Sequence, residues 1–339
     1  MRTMLYILPY NYPLQTTVLE IAPALAAGNS IVLKLPSKTP LTATSLTDTI
    51  TTAAGLPTCA FNFVPGRGSE IGDSRVDTIA MTGLSGGGVH VTRESGMTNL
   101  VMELDDNAPA IRFEDAGLVA AADACTAGAF NFGGQRCSAV SRVLAHESVH
   151  DEVVDRIDEA ADSWVVSDPF DEETDMGPLI EVAHAKQVET LVEEAIEAGA
   201  ELVRGGSRDG AFFEPTLLTN VPHDARIIHE EQFGPVVAVT TFSEEDEATE
   251  LANAGELALD AAVFTADHDR AMRVANAVDA GSVRLNSAPS HVLGDVPFGG
   301  NKSSGINCEG IHSTIKQMLR TKSIILWDAS SRLSVDLPG

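Results

Sequence analysis

Within its first hundred residues the chain alternates short apolar stretches with longer helical segments, and no other feature constrains its fold as strongly. Residues 4–8, 31–34, 61–64, 78–81 and 100–104 have the length and composition of β-strands. Helical apolar spacing covers residues 14–27 and 41–54, each followed by a glycine. This alternation predicts an α/β fold with a parallel sheet covered by helices on both faces.

Two of the predicted strands are followed by glycine-bearing turns, at residues 65–68 and 83–88. A strand, a glycine turn and a helix together predict Rossmann-like phosphate binding, because the N–H groups at a helix N-terminus attract anions. The strict G-x-G-x-x-G pattern is absent, so a flexible loop explains the second turn equally well. Both interpretations stay open on this pattern alone.

The second half of the chain predicts a second α/β layer. The predicted strands are residues 140–144, 238–242, 261–264 and 282–286, and the predicted helices are residues 119–128, 150–165 and 181–198. Residues 168–175 are rich in carboxylates but lack the spacing of a calcium-binding EF-hand, which favours a solvated turn. Residues 321–327 predict a strand with nothing after it to pair with, as is typical of a strand that joins another subunit's sheet.

Charge limits the partners that the surface can bind. The 339 residues include 22 basic and 49 acidic side chains, which gives a net charge of −27. Nucleic acids and anionic membranes bind positive patches, so we expect neither as a partner. Only six of the basic residues are lysine, and we interpret this composition as an acidic surface suited to a halophile's high-salt cytoplasm.

The four cysteines, Cys59, Cys125, Cys137 and Cys308, form neither a CxxC motif nor a His/Cys metal-ligand pattern. We therefore expect a reduced, cytoplasmic protein without a metal site. No apolar run has the length of a membrane span, and the first residues lack the basic start and cleavage site of a signal peptide.

Cys137 differs from the other cysteines because it closes a glycine-rich turn. Residues 130–138 read FNFGGQRCS, and the two glycines let the backbone approach whatever the sulfur attacks. Arg136 would lower the pKa of the thiol if its guanidinium points toward the sulfur. A single free cysteine is more often a small buried hydrophobe, so the turn alone does not establish a nucleophile.

Seven motifs, in order, resemble those of the aldehyde dehydrogenase superfamily, and the resemblance covers residues 9–326. They are PYNYPL (9–14), GNSIVLK (28–34), TGLSGGG (82–88), MEL (102–104), GQRC (134–137), EEQFGP (230–235) and PFGGNKSSG (297–305). Glu103 and Cys137 also have the family's own separation between general base and nucleophile, 34 residues.

The resemblance implies an α/β, aldehyde dehydrogenase-like fold with three parts. Residues 1–104 would form a Rossmann-like NAD(P)-binding domain and residues 105–305 the catalytic thiol domain. Residues 306–339 would form a C-terminal helix and the oligomerisation strand of a homodimer or homotetramer. Family members also carry a long segment before the first motif, so this chain is expected to be short at its N-terminus.

The resemblance also implies a reaction in which the Cys137 thiolate attacks an aldehyde carbonyl. Asn11 and the Cys137 backbone N–H would stabilise the oxyanion, and Glu103 would activate the water that hydrolyses the thioester. The implied cofactor contacts are Lys34, Ser37, Gly66, Gly83, Ser85, Gly88, Leu104, Glu231 and Phe233.

Ser37 points to the choice of cofactor. NAD-preferring members carry a glutamate at this position, which repels the 2′-phosphate of NADP. Serine removes that repulsion, and Lys34, with Lys38, would supply positive charge. We therefore expect NADP to be used at least as well as NAD. If Ser37 only caps the following helix, both cofactors are usable.

Several residues depart from the family pattern. Asp105 and Asp106 replace a glycine pair, and two carboxylates near Cys137 would disfavour its thiolate unless they point outward. Leu84 replaces a small hydroxyl residue under the pyrophosphate. Phe132 stands where an asparagine is usual, and Cys308 where an arginine is usual.

The leading hypothesis is an NAD(P)-dependent oxidoreductase that converts an aldehyde to a carboxylic acid. An acylating enzyme that transfers the acyl group to coenzyme A is an alternative, against which Glu103 argues. A non-catalytic fragment that keeps nucleotide or partner binding is a second alternative, favoured by the short N-terminus and by Asp105 and Asp106. Residues 281–286 with His291 and Asp295 resemble the branch that acts on small polar aldehydes such as lactaldehyde, glyceraldehyde 3-phosphate and succinate semialdehyde.

Overall fold

The computed structural model describes residues 2–57, 59–66, 75–290 and 296–326, and its first part is an α/β unit as the sequence predicts. Its elements in chain order are β1 (Thr3–Ile7), α1 (Pro13–Ala26), β2 (Ser30–Lys34), α2 (Pro40–Ala53), β3 (Phe61–Val64), β4 (Thr78–Thr82), α3 (Ser85–Glu94) and β5 (Asn99–Glu103). Proline occupies the first turn of both α1 and α2, where a missing N–H costs no hydrogen bond, and so it starts both helices.

The first sheet contains the order β3-β2-β1-β4-β5, with every one of these pairs parallel. This is a doubly wound order, in which the direction of sheet growth reverses between β1 and β4. Ligands of such sheets bind at the carboxyl ends of the strands beside that reversal. Ile7 pairs with Met81, so the segments that follow β1 and β4 emerge side by side at this place.

The second half builds the second α/β layer that the sequence predicts. Its elements are β6 (Ala108–Arg112), α4 (Leu118–Phe130), β7 (Val140–His146), α5 (His150–Ala161), α6 (Val182–Glu197), β8 (Glu201–Arg204), β9 (Arg208–Asp209), β10 (Phe212–Phe213), β11 (Thr216–Thr219), α7 (Arg226–His229), β12 (Val236–Phe242), α8 (Glu245–Ala252), β13 (Leu257–Ala258), β14 (Asp260–Phe264), α9 (His268–Ala277) and β15 (Ser282–Leu285). The seven-stranded sheet has the order β15-β14-β6-β7-β12-β11-β8 and is parallel except for β8.

The central strand β6 was missed by the sequence patterns. It contains Pro109, which cannot donate a ladder hydrogen bond, and it ends in the charged Arg112, so it does not read as a buried strand. The pairing with β7 shifts register between Ala108 and Pro109, which accommodates the proline. Arg112 is buried and donates from Nη2 to the Ala116 carbonyl at 3.0 Å.

After β15 the chain returns to the first sheet. The remaining elements are β16 (Asn301–Lys302), β17 (Gly305–Ile306) and α10 (Ile311–Gln317). β17 extends the first sheet by pairing antiparallel with β5, and α10 packs on α1, where Asn29 donates to the Met318 carbonyl. The division of the chain at residues 104/105 and 305/306 stays a prediction.

The predicted terminal strand does not form within the described residues. Residues 321–326 are exposed and pair with no strand there, because no neighbouring strand offers them hydrogen bonds. Trp327 lies outside the described residues. Across the part of the chain that the structure describes, no helix combines the length and the apolar character needed to cross a membrane.

Arg142 in β7 ties the layers of the second half together. Its side chain is among the largest that are fully buried, with 1% exposure. The guanidinium donates to the carbonyls of Asn107, Leu251 and Ala252 at 3.1, 2.8 and 2.8 Å. Burial lowers the pKa of Arg142 to about 10, so the side chain stays charged at neutral pH.

Replacing Arg142 by methionine is expected to destabilise the protein by about 3 kcal/mol or more, because three buried carbonyls lose their donors. The midpoint of urea denaturation measures the loss. Arg93→Met removes an exposed arginine from α3 and should change stability by less than about 0.5 kcal/mol. Equal shifts of the midpoint for the two variants would contradict the role given to Arg142.

Candidate active site

The carboxyl ends of neighbouring parallel strands carry four of the residues singled out in the sequence. Asn11 follows β1, Lys34 ends β2, Gly83 follows β4 and Glu103 ends β5. Because carboxyl ends of parallel strands meet at one edge of a sheet, the order of the first sheet alone brings these residues to one side.

A tight turn carries Cys137 to the same place. After α4 the backbone passes through Asn131–Gly134 with positive φ at Phe132, Gly133 and Gly134. A Cβ on Gly134, where φ is +68°, would lie 2.1 Å from the carbonyl oxygen of Gly234, so only glycine fits there. The GQRC and EEQFGP motifs therefore pack backbone against backbone.

A cavity of about 520 Å³ lies where these segments meet. Seven of the predicted site residues line it, namely Asn11, Gly83, Glu103, Leu104, Cys137, Glu231 and Phe233. Residues at the edge of the first sheet and the thiol of the second half thus share one space, which is large enough for a small organic substrate.

The thiol of Cys137 is half-buried and lies within hydrogen-bonding reach of the Glu103 carboxyl. Burial raises the pKa of Cys137 well above its ordinary value, and Glu103, Glu309 and Glu231 raise it further. The sulfur is therefore protonated at neutral pH in this state, and Glu103 is the carboxyl beside it.

The expected activation of the thiol by Arg136 is wrong. Nη2 of Arg136 donates to the Pro289 carbonyl at 3.1 Å and to the Ser138 hydroxyl at 3.4 Å. These oxygen acceptors hold the guanidinium. The pKa of Cys137 is shifted mainly by burial and by nearby carboxylates.

Two N–H donors flank the sulfur. Nδ2 of Asn11 donates to the Gln135 carbonyl at 3.1 Å, and an amide nitrogen has a second N–H to give. The backbone N–H of Cys137 has no acceptor among the residues that the structure describes. An oxygen held by both groups would lie next to the thiol, as an oxyanion hole requires.

Asp106 does not point at the thiol. It is buried, and its carboxylate accepts the backbone N–H groups of Leu259 and Asp260 at 3.1 and 3.0 Å, so it fastens the end of the first sheet to β14. Burial raises the pKa of Asp106 to about 8, and the accepted hydrogen bonds oppose that rise. Its own N–H donates to Glu231 at 3.0 Å.

Lys34 and Ser37 lie together at the end of β2. The Lys34 ammonium donates to the Ser37 hydroxyl at 3.3 Å, and burial lowers the pKa of Lys34. No carboxylate among the described residues forms an ion pair with Lys34. Lys38, by contrast, is paired with Glu181, so of these two lysines Lys34 is the one without a carboxylate partner among the described residues.

The other predicted cofactor residues lie beside the cavity rather than in its lining. Gly66 follows β3, one strand beyond Lys34. Ser85 is the first residue of α3. Gly88 makes room for Leu104, because a Cβ there would come within 2.6 Å of that side chain.

Comparison with known proteins identifies the family. The model of the aldehyde dehydrogenase family matches residues 3–324. The chain belongs to this family.

Relatives and solved structures agree with the assignment. The 3-sulfolactaldehyde dehydrogenase of Priestia aryabhattai is 36% identical over 94% of this chain and 68% of its own length. The glyceraldehyde-3-phosphate dehydrogenase GapN of Methanocaldococcus jannaschii, solved with NADP, has a TM-score of 0.90 and 35% identity, over 93% of this chain and 71% of GapN.

A third similar protein was solved with the other cofactor. The betaine aldehyde dehydrogenase of Staphylococcus aureus, in complex with NAD⁺, has a TM-score of 0.90 and 34% identity, over 97% of this chain and 69% of that one. These findings confirm the α/β fold class and an NAD(P)-dependent oxidoreductase that acts on aldehydes.

Within this family member, three further residues shape the cavity and were not singled out from the sequence. Gln135 accepts hydrogen bonds from the Tyr10 hydroxyl and the Ile180 N–H, so it joins the first motif to the start of α6. His184 hydrogen bonds through Nε2 to the Phe233 carbonyl at 2.8 Å, and Tyr10 meets the Phe233 ring edge-on. Tyr10 and Gln135 lie inside recognisable motifs, whereas nothing in the sequence marks His184.

A buried pair of carboxyls lies behind Glu103. Glu20 and Glu309 are 2% and 4% exposed, and both line a small space that Glu103 also borders. Oε2 of Glu20 has no hydrogen-bond partner among the described residues. Burial raises the pKa of Glu20 well above its ordinary value, and Glu309 raises it further.

Glu20→Gln is expected to stabilise the protein above pH 4.5 and to have little effect below it. The folded state raises the pKa of Glu20, so the carboxyl destabilises the fold once the unfolded chain would ionise, and that cost grows as pH rises. One pKa unit corresponds to about 1.4 kcal/mol. Denaturation midpoints at pH 4 and pH 8 measure the effect.

The exposed Glu193 of α6 supplies the control. Glu193→Gln removes the same charge from the surface and should shift the midpoint little at either pH. A Glu20→Gln midpoint that moves equally at both pH values would rule out a burial penalty on this carboxyl.

Proposed function

We propose that this chain oxidises an aldehyde to a carboxylic acid with NAD(P)⁺, with Cys137 as the nucleophile. The observation that carries the proposal is the cavity in which the Cys137 thiol lies beside the Glu103 carboxyl and the Asn11 amide. Nucleophile, base and oxyanion donor come from three distant parts of the chain, and acyl transfer needs all three within contact of one carbonyl group.

The first step is attack by the Cys137 thiolate. The thiol gives up its proton to solvent, and the thiolate attacks the carbonyl carbon to form a thiohemiacetal. Asn11 and the Cys137 N–H hold the resulting oxyanion, and losing one donor of this kind costs about 3 kcal/mol.

The second step releases the acid. NAD(P)⁺ would supply the acceptor for the hydride that leaves the thiohemiacetal carbon. Glu103 then takes a proton from water, whose oxygen attacks the thioester carbon while the C–S bond to Cys137 breaks. A buried carboxyl at this position favours water over coenzyme A as the acyl acceptor.

Lys34 supports the choice of NADP. A buried ammonium without a carboxylate partner, in a chain of net charge −27, suits a phosphate. Lys34 and Ser37 would hold the 2′-phosphate, Gly66, Gly83, Ser85 and Gly88 would line the path of the cofactor, and Leu104, Glu231 and Phe233 would border the nicotinamide riboside.

The substrate is proposed to be a small polar aldehyde. Burial raises the pKa of Tyr12, while Arg136 lowers it and Cys137 raises it, so Tyr12 lies within electrostatic reach of the nucleophile. A phenol hydroxyl near the nucleophile suits an aldehyde with a polar substituent. Relatives named for 3-sulfolactaldehyde and glyceraldehyde 3-phosphate agree with this class, while His291 and Asp295 lie outside the described residues.

We also propose a cytoplasmic homo-oligomer, a dimer or tetramer, in a high-salt cell. Ile324, Ile325 and Leu326 are 78%, 84% and 85% exposed, and a neighbouring subunit's sheet would cover them. The acidic surface supports the halophilic habitat and argues against nucleic acid and anionic membranes as partners.

Cys137→Ala is expected to abolish aldehyde oxidation while leaving cofactor affinity within about twofold, because the sulfur takes part in bond formation and not in cofactor binding. Steady-state rates and cofactor titrations measure the two properties. Cys59→Ala removes an exposed thiol and should retain full activity. Retained turnover by Cys137→Ala would disprove the proposed function.

Glu103→Gln is expected to slow thioester hydrolysis more than thioester formation, since an amide cannot take the proton of water. Stopped-flow absorbance should then show a burst of reduced cofactor followed by a slow phase, with the slow phase reduced about 100-fold or more. An unchanged steady-state rate would remove Glu103 from the mechanism.

Ser37→Glu is expected to shift the ratio of kcat/KM for NADP to that for NAD by at least about tenfold toward NAD, because the new carboxylate repels a 2′-phosphate. Ser45→Glu, which adds the same charge on the exposed side of α2, is the control and should leave the ratio unchanged. A wild-type enzyme that strongly prefers NAD would contradict the assignment.

A further inference from the structure

Asp105 holds the N-terminus of α3. Its Oδ2 accepts the backbone N–H of Ser85, the first residue of that helix, at 3.0 Å. Leu84, the residue before the helix, provides no side-chain cap, so this N–H is satisfied from a distant strand end. A carboxylate is favoured here because the N-terminus of a helix carries a partial positive charge.

The same carboxyl also contacts Glu231. A hydrogen bond joins the two side chains; burial raises the pKa of Asp105, and this hydrogen bond opposes the rise. In turn, burial and then the charge of Asp105 raise the pKa of Glu231 well above its ordinary value. Glu231 is therefore the protonated donor, and Asp105 is the charged acceptor of this pair.

These two contacts coincide with groups that the proposed function assigns to the cofactor. Ser85 and the start of α3 are where the pyrophosphate would lie, and Glu231 is where the nicotinamide ribose would be held. We propose that Asp105 is a resident carboxylate in the pyrophosphate position, so that NAD(P) binds tightly only when Asp105 takes up a proton or is replaced by an uncharged residue. This inference rests on the proposed function and concerns how its cofactor is admitted.

Among the described residues, the positive influence next to Asp105 is the partial charge at the N-terminus of α3, and the carboxylate of Asp105 already occupies that place. Among the described residues, Glu231 is the titratable side chain that shifts the pKa of Asp105, and the Ser304 hydroxyl donates to the Asp105 backbone carbonyl. No lysine or arginine among the described residues forms an ion pair with Asp105. A pyrophosphate would therefore compete with Asp105 for the Ser85 N–H and would be repelled by the charge of that carboxylate.

The sign of the pH dependence follows from this charge. Burial raises the pKa of Asp105, while the Ser85 hydrogen bond lowers it. The free protein holds the ionised form more often at high pH, and the bound state favours the protonated form because it removes repulsion from the pyrophosphate. Cofactor binding should take up a proton and should weaken as pH rises.

Calorimetric titration of the full chain tests this directly. NADP⁺ is titrated between pH 5.5 and pH 9 in buffers of different ionisation enthalpy, which reveals protons taken up on binding. The expected results are uptake of about one proton and a dissociation constant that rises about tenfold for each pH unit above the pKa of Asp105. The wild-type protein suffices for this arm.

Asp105→Asn supplies the second arm, because asparagine keeps an oxygen for the Ser85 N–H but carries no charge. At pH 8 it should bind NADP⁺ at least about tenfold more tightly than wild type, with a flat pH profile. Glu230→Gln removes a carboxylate that lines the same cavity and is paired with Arg226, and it should leave both properties unchanged. Adenosine 2′-monophosphate, which has no pyrophosphate, should bind wild type and Asp105→Asn equally.

The outcomes separate this inference from the proposed function. NADP⁺ binding to wild type without proton uptake, at an affinity that Asp105→Asn does not improve, would overturn the role of Asp105 and leave the dehydrogenase proposal intact. If neither NADP⁺ nor NAD⁺ binds to wild type or Asp105→Asn at any pH, both proposals fall.

Discussion

The arrangement of the site depends on the hydrogen bonds that the buried carboxyl group of Asp106 makes. It lies where the chain leaves the first sheet at β5 and enters the second at β6, and it accepts two backbone N–H groups at the start of β14. Its own N–H holds Glu231. The hydrogen bonds of Asp106 therefore set the distance between the sheet edge that carries Glu103 and the half of the chain that carries the Cys137 turn. The family's glycine pair has no side chain that could make this contact.

Negative charge gathers around the reaction centre and shapes its chemistry. Burial and the charges of Glu103, Glu309 and Glu231 raise the pKa of Cys137, so the thiol is protonated at neutral pH. Like-charge repulsion also gives two of the carboxyls different protonation states. Glu231 keeps a proton and donates it in a hydrogen bond, while Asp105 stays charged and accepts. The lone buried Lys34, at the far side of the sheet edge, is the counterpart that suits an anionic cofactor.

Residue patterns located most of the fold. Strand and helix periodicity in the first hundred residues reflects burial on both faces of a parallel sheet, so β1 to β5 were predictable from composition and spacing. β6 was not predictable, because Pro109 and Arg112 interrupt the apolar run. In the folded chain a register shift accommodates Pro109, and the Ala116 carbonyl accepts a hydrogen bond from Arg112. Residues 321–326 have a strand-like sequence but form no strand within the described residues, since a strand forms only where a neighbouring strand offers hydrogen bonds.

The sequence by itself determined the family and the α/β class, because ordered motifs and the alternation of strands with helices can be read from residue types at local spacings. The two glycines before the cysteine are visible in the sequence, but the contact with the Gly234 carbonyl that excludes any other residue at Gly134 exists only in the folded chain. Only the tertiary structure decided the directions of the charged side chains. Arg136 beside the cysteine donates to carbonyl and hydroxyl oxygens rather than approaching the sulfur, and of two adjacent aspartates one fastens the sheets while the other caps α3. The direction of a side chain depends on its hydrogen-bond partner, which lies 20 positions away for Asp105, 154 for Asp106 and 153 for the carbonyl that Arg136 contacts, and local sequence carries no record of these pairings.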